Sequence, residues 1–133
     1  MNLEDRKYCT ILNTNISVTN MEDTIAMLTE NLEQLRGNYI CVSNVHTVVM
    51  SFRDADYRKV QNSAAMALPD GKPLSMVSRQ RGYREAERVP GPDLMPAIFR
   101  LSEGKGYRHY FYGSTEETLE LLYKKLNENY PGI

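Results

Sequence analysis

The sequence predicts an α/β domain of the Rossmann-like, three-layer type, built around a mostly parallel sheet. Short apolar segments with strand character alternate along the chain with segments of helical period. Three of the short segments end in polar turns, at Ser43-Asn44, Pro69-Asp70-Gly71 and Gly113-Ser114. Because ligands bind at the carboxyl ends of parallel strands, we expect these three turns to line one crevice.

Length and composition fit one domain. The 133 residues are 41% apolar and 25% charged, which suffices for one sizeable core. A net charge of −1 gives no reason to expect a nucleic-acid partner. Cys9 and Cys41 stand in apolar surroundings and are expected to be reduced core residues. Residues 1–7 are polar and no apolar run is long enough to span a bilayer, so a cytoplasmic protein without a signal peptide is expected.

Turn and cap signals predict the first elements. Residues 9–18 are predicted to be extended, with a hairpin turn around residues 13–15. Asn20 is expected to cap a helix that ends at Gly37-Asn38. Apolar residues recur along this helix at gaps of four and three, at Met21, Ile25, Leu28, Leu32 and Leu35.

The middle of the chain holds the strands that precede the first two polar turns. Residues 39–43 and 66–68 are short apolar segments and are predicted strands. Residues 45–52 fit a strand or a helix equally well. Asp54 is expected to cap a further helix that reaches about as far as Ser63.

The last part of the chain continues the alternation. Residues 72–80 fit a helix, and Pro92 is expected at the first position of the next one. Residues 108–112 are a predicted strand, and Thr115 is expected to cap a final helix. Because another strand is expected after the Pro131-Gly132 break, the sheet is predicted to be incomplete at the C-terminus and the chain to be part of a longer protein.

The segment Pro69-Asp70-Gly71 is the first candidate for chemistry. Its local sequence alone indicates a tight turn, since each of the three residue types favours turns. Its position at the end of a strand and ahead of a helix makes Asp70 a candidate base as well. An ordinary aspartate is ionised at neutral pH and can therefore accept a proton.

Other polar residues have a structural and a functional interpretation. Asn44 caps the following helix or hydrogen-bonds a substrate, and His46 is a satisfied first-turn histidine or a catalytic one. Asp54 and Asp56 mimic a metal-binding Asp-X-Asp motif, but carboxylates are also favoured where a helix starts. No cluster has metal-ligand spacing, so no metal site is predicted.

An arginine-rich stretch follows, at Arg79, Arg81, Arg84 and Arg88. These side chains form a solvated surface or recognise phosphate. Arg88 is the best placed for phosphate, because it directly precedes a predicted helix start. The chain contains neither Gly-X-Gly-X-X-Gly nor a Walker loop, which argues against a standard dinucleotide or ATP site.

Four blocks in this order resemble the WecG/TagA/CpsF glycosyltransferases, which form glycosyltransferase family 26. The blocks are Val42-Ser43-Asn44-Val45-His46, Leu68-Pro69-Asp70-Gly71, Glu87-Arg88-Val89-Pro90-Gly91-Pro92-Asp93-Leu94-Met95 and Phe111-Tyr112-Gly113. The second and third blocks together are the specific part of the resemblance, which covers the chain from Ile11 onward. Because family members are longer, residues 1–133 are expected to form the N-terminal part of a single glycosyltransferase domain.

The resemblance implies an inverting transferase that needs neither metal nor cofactor. Such an enzyme moves an N-acetylhexosamine, often N-acetylmannosamine, from a UDP donor to a polyprenyl-diphosphate-linked acceptor. The products are teichoic acids and other cell-surface polysaccharides. A lipid-linked acceptor implies a cytoplasmic protein that works peripherally at the inner face of the plasma membrane.

The resemblance also implies roles for single residues. Asp70 matches the proposed general base, Asn44 the active-site asparagine, and Arg88 the conserved arginine. The same blocks contain further residues that we expect in the substrate site, namely His46, Gly71, Gly91, Asp93 and Gly113. Many members carry threonine where this chain has Val42, so the contact of that threonine is either missing here or supplied by Ser43.

Two other functions stay open on the sequence. The first is a non-catalytic α/β module that binds a nucleotide or a protein partner, and the isolated chain would then bind without turnover. The second is a nicotinamide-dependent oxidoreductase. The absence of the Gly-X-Gly-X-X-Gly fingerprint argues against it. The sequence also leaves open whether the protein forms a homo-oligomer.

Overall fold

The computed structural model describes residues 3–133 and divides the chain into a first unit that ends at Leu94 and a second unit, Met95–Ile133. A short 3-10 helix at Leu3–Asp5 comes first. The strands are β1 (Tyr8–Ile11), β2 (Thr14–Ser17), β3 (Ile40–Ser43) and β4 (Met66–Pro69). The helices are α1 (Met21–Glu30), α2 (Val45–Arg53), α3 (Ala55–Ser63), α4 (Lys72–Gln80), α5 (Gly91–Ser102) and α6 (Glu116–Asn129).

The first unit confirms the predicted α/β class. Strands β3 and β4 pair in parallel, with Ile40 opposite Met66 and Ser43 opposite Pro69. Helices α2 and α3 form the crossover between them. Residues 45–52, which the sequence left open between strand and helix, are therefore helical. Within residues 3–133, β3 and β4 are the only parallel pair, so the parallel sheet is small.

Strands β1 and β2 form the predicted hairpin. They pair antiparallel from Tyr8 opposite Ser17 to Ile11 opposite Thr14. The turn lies at Leu12 and Asn13, one residue earlier than expected, and both have positive φ angles of 44° and 65°. Two positive φ angles are typical of the type I′ turn, whose twist suits the flanking strands.

The core of the first unit lies between this hairpin, β4 and the helices. Its buried members are Cys9, Ile11, Ile16, Val48, Ala67 and Leu74. The amide of Ala67 also donates to Oγ of Ser17 at 3.0 Å, which ties β4 to β2. Strand β4 is buried along its whole length, as expected of a central strand.

Helix α1 is shorter than its apolar pattern predicted. It ends at Glu30, and turns follow to residue 37. Nδ2 of Asn31 donates to the carbonyl oxygen of Met27 at 3.0 Å, and Asn31 itself leaves the helical region at φ −121°. Such a side-chain bond to the backbone competes with the helix. Leu32, which the pattern placed on the inner face, is 45% exposed.

The second unit holds most of α5, all of α6 and an extended segment between them. Phe99 packs edge-on against His109 and Phe111, with ring centroids 5.2 and 5.9 Å apart. The predicted strand at residues 108–112 is wrong: the segment has no strand partner among residues 3–133. A strand needs a neighbour for its backbone ladder, and an apolar pattern alone does not supply one.

The predicted helix caps are confirmed. Asn20 accepts from the amide of Asp23 at 2.8 Å, and Oγ1 of Thr115 accepts from the amide of Thr118 at 3.3 Å.

None of the helices within residues 3–133 combines the length and the apolar character needed to cross a membrane.

Candidate functional site

The carboxyl ends of β3 and β4 lie side by side. Ser43 and Pro69 are register partners, and the amide of Asp70 donates to the carbonyl oxygen of Ser43 at 2.8 Å. The ladder thus continues one residue beyond β4. The first two polar turns, which the sequence predicted to share a crevice, meet at this edge of the sheet.

Two helices begin close to each other at that edge. A Cβ atom built on Gly71, the N-cap of α4, would lie 3.7 Å from Cβ of Asn44, the N-cap of α2. Helix α4 has no side-chain cap, and Pro73 stands in its first turn. A side chain at position 71 would fill the space beside Asn44, so glycine keeps this approach between the two turns open.

A third helix begins nearby. A Cβ atom built on Gly91, the first residue of α5, would lie 3.4 Å from Cγ1 of Val42 in β3. The amino ends of α2, α4 and α5 therefore lie beside the ends of β3 and β4. Each helix amino end carries a partial positive charge and unpaired N–H groups, which favour a bound anion.

Asp70 and Arg88 are in contact at the centre of this edge. Nε of Arg88 donates to the backbone carbonyl oxygen of Asp70, and Nη2 lies 3.6 Å from Oδ1 of the same residue. The Asp70 side chain is 27% exposed and that of Arg88 is 55% exposed. Both the carboxylate and part of the guanidinium are thus open to a ligand.

The segment that carries Arg88 is anchored on both sides. The amide of Val89 donates to the carbonyl oxygen of Pro69 at 2.8 Å, and the amide of Glu87 donates to that of Thr19 at 2.9 Å. Ala86 and Val89 are fully buried. Arg88 therefore projects from a fixed segment rather than from a free loop, and its side chain is exposed.

Asn44 serves as a cap and leaves part of its amide available. Its Oδ1 accepts from the amide of Thr47 at 3.1 Å, and Oγ1 of Thr47 accepts from the amide of Asn44 at 3.0 Å. This reciprocal pair is a capping box. Across residues 3–133, Nδ2 of Asn44 has no acceptor, and the residue is exposed. His46 is also exposed, in the first turn of α2.

Ser43 does not take the place of the threonine that many family members carry. Its hydroxyl is buried and donates to Oε1 of Gln61 at 2.7 Å. Val42 is 42% exposed and packs towards Gly91. This site therefore has an aliphatic side chain where the threonine hydroxyl is expected.

The remaining predicted site residues differ in their placement. Asp93 lies exposed in the first turn of α5, where its amide donates to the carbonyl oxygen of Pro90 at 3.1 Å. Gly113 has a φ of 119° and belongs to the second unit, so its place in the substrate site stays a prediction. Arg81 donates to the carbonyl oxygen of Thr10 and is a structural contact.

Asp54 has the structural role, and Asp56 lies in the first turn of the helix that Asp54 caps. Oδ1 of Asp54 accepts from the amides of Asp56 and Tyr57 at 2.9 and 3.0 Å, which caps α3. In the described part of the chain, no group of three or more His, Cys, Asp or Glu side chains is arranged to hold a metal ion.

The two cysteines, Cys9 and Cys41, form no disulfide bond. Burial raises the pKa of the Cys41 thiol.

The sequence interpretation missed two parts of this site. Thr47 completes the capping box, and the spacing Asn44-X-X-Thr47 was a usable signal for it. The backbone hydrogen bond from Val89 to Pro69 joins two segments that are far apart in sequence, so no pattern of side chains predicts it.

Comparisons with known proteins agree with the resemblance. Residues 9–133 match the glycosyl transferase WecG/TagA/CpsF family. An N-acetylglucosaminyldiphosphoundecaprenol N-acetyl-beta-D-mannosaminyltransferase from Bacillus spizizenii is 29% identical over 105 residues, which are 79% of this chain and 41% of the relative. The protein of the same name from Bacillus subtilis is 28% identical over 77% of this chain and 40% of its own length.

A similar protein occurs in a third species. The transferase of that name from Staphylococcus aureus strain NCTC 8325 is 23% identical over 83% of this chain and 46% of its own length. The chain thus spans less than half the length of the curated relatives that it matches.

Proposed function

Because the chain belongs to the glycosyl transferase WecG/TagA/CpsF family, we propose that it supplies the catalytic base of an inverting glycosyltransferase. The donor is a UDP-linked N-acetylhexosamine of the N-acetylmannosamine type, and the acceptor is a sugar on a polyprenyl diphosphate. The relatives' name supports a polyprenyl-diphosphate acceptor. The observation that carries the proposal is the partly exposed Asp70 carboxylate, which lies against Arg88 among three helix amino ends.

The reaction couples proton transfer to Asp70 with nucleophilic attack. One oxygen of the Asp70 carboxylate accepts the proton of the acceptor hydroxyl while the oxygen of that hydroxyl attacks C1 of the donor sugar. The bond from C1 to the diphosphate oxygen breaks, and UDP leaves with its electron pair. Attack from the face opposite the leaving group inverts the anomeric centre. General-base assistance of this kind is typically worth about 10²–10⁴-fold in rate.

Charge on the departing diphosphate has to be met by positive groups. The amino ends of α2, α4 and α5 supply N–H groups and partial positive charge at the strand ends. The outward N–H groups of the Arg88 guanidinium add a full charge. We propose that these groups take the part that a divalent cation has in other transferases, so that no metal or cofactor is needed.

Other residues of the edge are assigned to substrate contacts. Nδ2 of Asn44 is available to a hydroxyl or acetamide oxygen of the substrate. His46 and Asp93 are exposed in the first turns of α2 and α5. Gly71 and Gly91 keep the approach to the strand ends open.

We also propose that residues 1–133 form the N-terminal part of one glycosyltransferase domain. The chain matches less than half of its relatives' length. Strand β3 pairs only with β4, and residues 108–112 are unpaired, among the residues that the structure describes. Further strands would complete this sheet and add donor contacts. The complete enzyme is assigned to the cytoplasmic side of the plasma membrane as a peripheral protein, because its acceptor is lipid-linked.

A transfer assay tests the proposal. The chain continued to the length of its relatives is incubated with a panel of UDP-sugars and a GlcNAc-diphosphate-lipid acceptor. Disaccharide-lipid product with a UDP-N-acetylhexosamine is the expected result. UDP binding without product from any donor would contradict the proposal and favour the non-catalytic module. Parallel assays of the 133-residue chain show whether this part turns over alone.

A further inference from the structure

We propose that Arg88 is a positioning residue that holds the Asp70 carboxylate in the orientation needed for proton transfer. The inference rests on the proposed function, in which Asp70 is the base. It goes further by assigning Arg88 a second partner besides a substrate anion. The observation behind it is the two-point contact: Nε of Arg88 donates to the Asp70 carbonyl oxygen, and Nη2 lies 3.6 Å from Oδ1.

Asp70 has few other restraints. Its amide donates to the carbonyl oxygen of Ser43 at 2.8 Å, which fixes the backbone but leaves the side chain free to rotate. Within residues 3–133, the ion pair with Arg88 is the one polar contact made by the Asp70 carboxylate. Without Arg88, this side chain would sample several rotamers at the open edge of the sheet.

The backbone at Arg88 is held in a fixed position. The amide bond from Val89 to Pro69 places the arginine backbone beside the residue that precedes Asp70. Complete burial of Ala86 and Val89 keeps the segment from moving independently of the core. The guanidinium is planar, so the Nε contact to the backbone also sets the direction of Nη2 towards the carboxylate.

A positioning role and a purely substrate-binding role predict different kinetics. Lysine keeps the positive charge but is a point charge on a flexible stem. It cannot contact the Asp70 carbonyl and carboxylate together in the manner of the planar guanidinium. If Arg88 acts only on the diphosphate, lysine still supplies the positive charge that meets the leaving group, so Arg88→Lys keeps most of kcat and mainly raises KM. If Arg88 positions the base, Arg88→Lys lowers kcat and leaves KM for both substrates unchanged.

The kinetic test uses the chain continued to the length of its relatives. Arg88→Lys is compared with the control Arg84→Lys, because Arg84 is exposed and its side chain makes no hydrogen bond or ion pair among residues 3–133. A misplaced catalytic group costs about 10²-fold, so we expect a kcat loss of that order for Arg88→Lys. Arg84→Lys should match the wild type, and added guanidinium should restore part of the kcat of Arg88→Ala.

A spectroscopic test on the 133-residue chain is independent of turnover. The Nε–H signal of Arg88 is expected to exchange slowly with solvent, while that of Arg84 exchanges fast. Asp70→Asn keeps the backbone oxygen and should leave the slow Arg88 exchange in place. Fast exchange of the Arg88 Nε–H in the wild-type chain would overturn the proposed contact.

The two proposals fail in different ways. Absence of transfer by the wild-type protein with every donor overturns the proposed function, and the positioning role with it. Transfer by the wild type together with an unchanged kcat in Arg88→Lys overturns only the positioning role.

Discussion

The Ser43 hydroxyl donates to Oε1 of Gln61 at 2.7 Å, and both side chains are buried. This bond joins the last residue of β3 to α3, immediately before the turn that carries Asn44. Since successive side chains of a strand point to opposite faces, Val42 is left on the other face, towards Gly91. The position of the Asn44 turn thus depends on a buried polar pair behind it.

Ser43→Ala is expected to destabilise the fold. It leaves the buried Oε1 of Gln61 without its donor, which costs about 1–3 kcal/mol of unfolding free energy. Urea unfolding of the 133-residue chain measures this cost. Ser63→Ala is the matched control, because Ser63 is exposed at the end of α3. Equal unfolding midpoints for the two variants would contradict the structural role of Ser43.

Substitutions of Asn44 separate its two roles. Asn44→Ser keeps a side-chain oxygen for the cap of α2 but removes the amide nitrogen. Asn44→Ala removes both and should cost about 1 kcal/mol of stability. We expect Asn44→Ser to unfold at the wild-type urea concentration and to lose sugar transfer as fully as Asn44→Ala. Wild-type transfer by Asn44→Ser would restrict Asn44 to capping.

Divalent cations are expected to have no effect on transfer. Asp54 is engaged as the cap of α3, so its carboxylate holds backbone amides rather than a metal. Transfer rates measured with EDTA and with added manganese should be equal. Asp54→Ala should lower stability by about 1 kcal/mol, and Asp56→Ala, which leaves that cap intact, should lower it less. Activity that needs manganese and falls with EDTA would contradict this assignment.

The thiol of Cys41 is expected to react slowly with alkylating reagents. Burial raises its pKa, so at pH 8 a smaller fraction is the reactive thiolate than in an ordinary cysteine. Because the pKa is raised, the reaction should accelerate as the pH increases above 8. Iodoacetamide labelling, resolved by mass spectrometry, measures the rate at this site in the native and urea-unfolded chain. If Cys41 were labelled at the same rate in the native and the unfolded chain, the expected protection of this thiol by burial would be contradicted.

Local signals allowed much of the fold to be predicted. Asn20, Asp54 and Thr115 each accept backbone amides at a helix start, and a cap is set by the few residues around it. The strand predicted at residues 108–112 failed because pairing depends on a distant partner, which the described residues do not provide. The end of α1 was missed because the side-chain bond of Asn31 outweighs an apolar repeat.

The candidate site was predictable only in part. The position of Asp70 after a strand pointed to the sheet edge, and the structure confirms that the turn lies there. Its contact with Arg88 joins residues 18 apart, through a segment whose anchoring is made by backbone bonds. The family resemblance named both residues, but it did not predict that they touch.

Asp70→Asn tests the central claim most directly. The amide is close in size to the carboxylate but is not a proton acceptor of comparable strength, so the loss should fall on kcat. In the chain continued to the length of its relatives, we expect kcat to fall by about 10²–10⁴-fold. UDP binding, measured by calorimetry, and the unfolding midpoint should stay at wild-type values. Transfer by Asp70→Asn at the wild-type rate would contradict the assignment of Asp70 as the base.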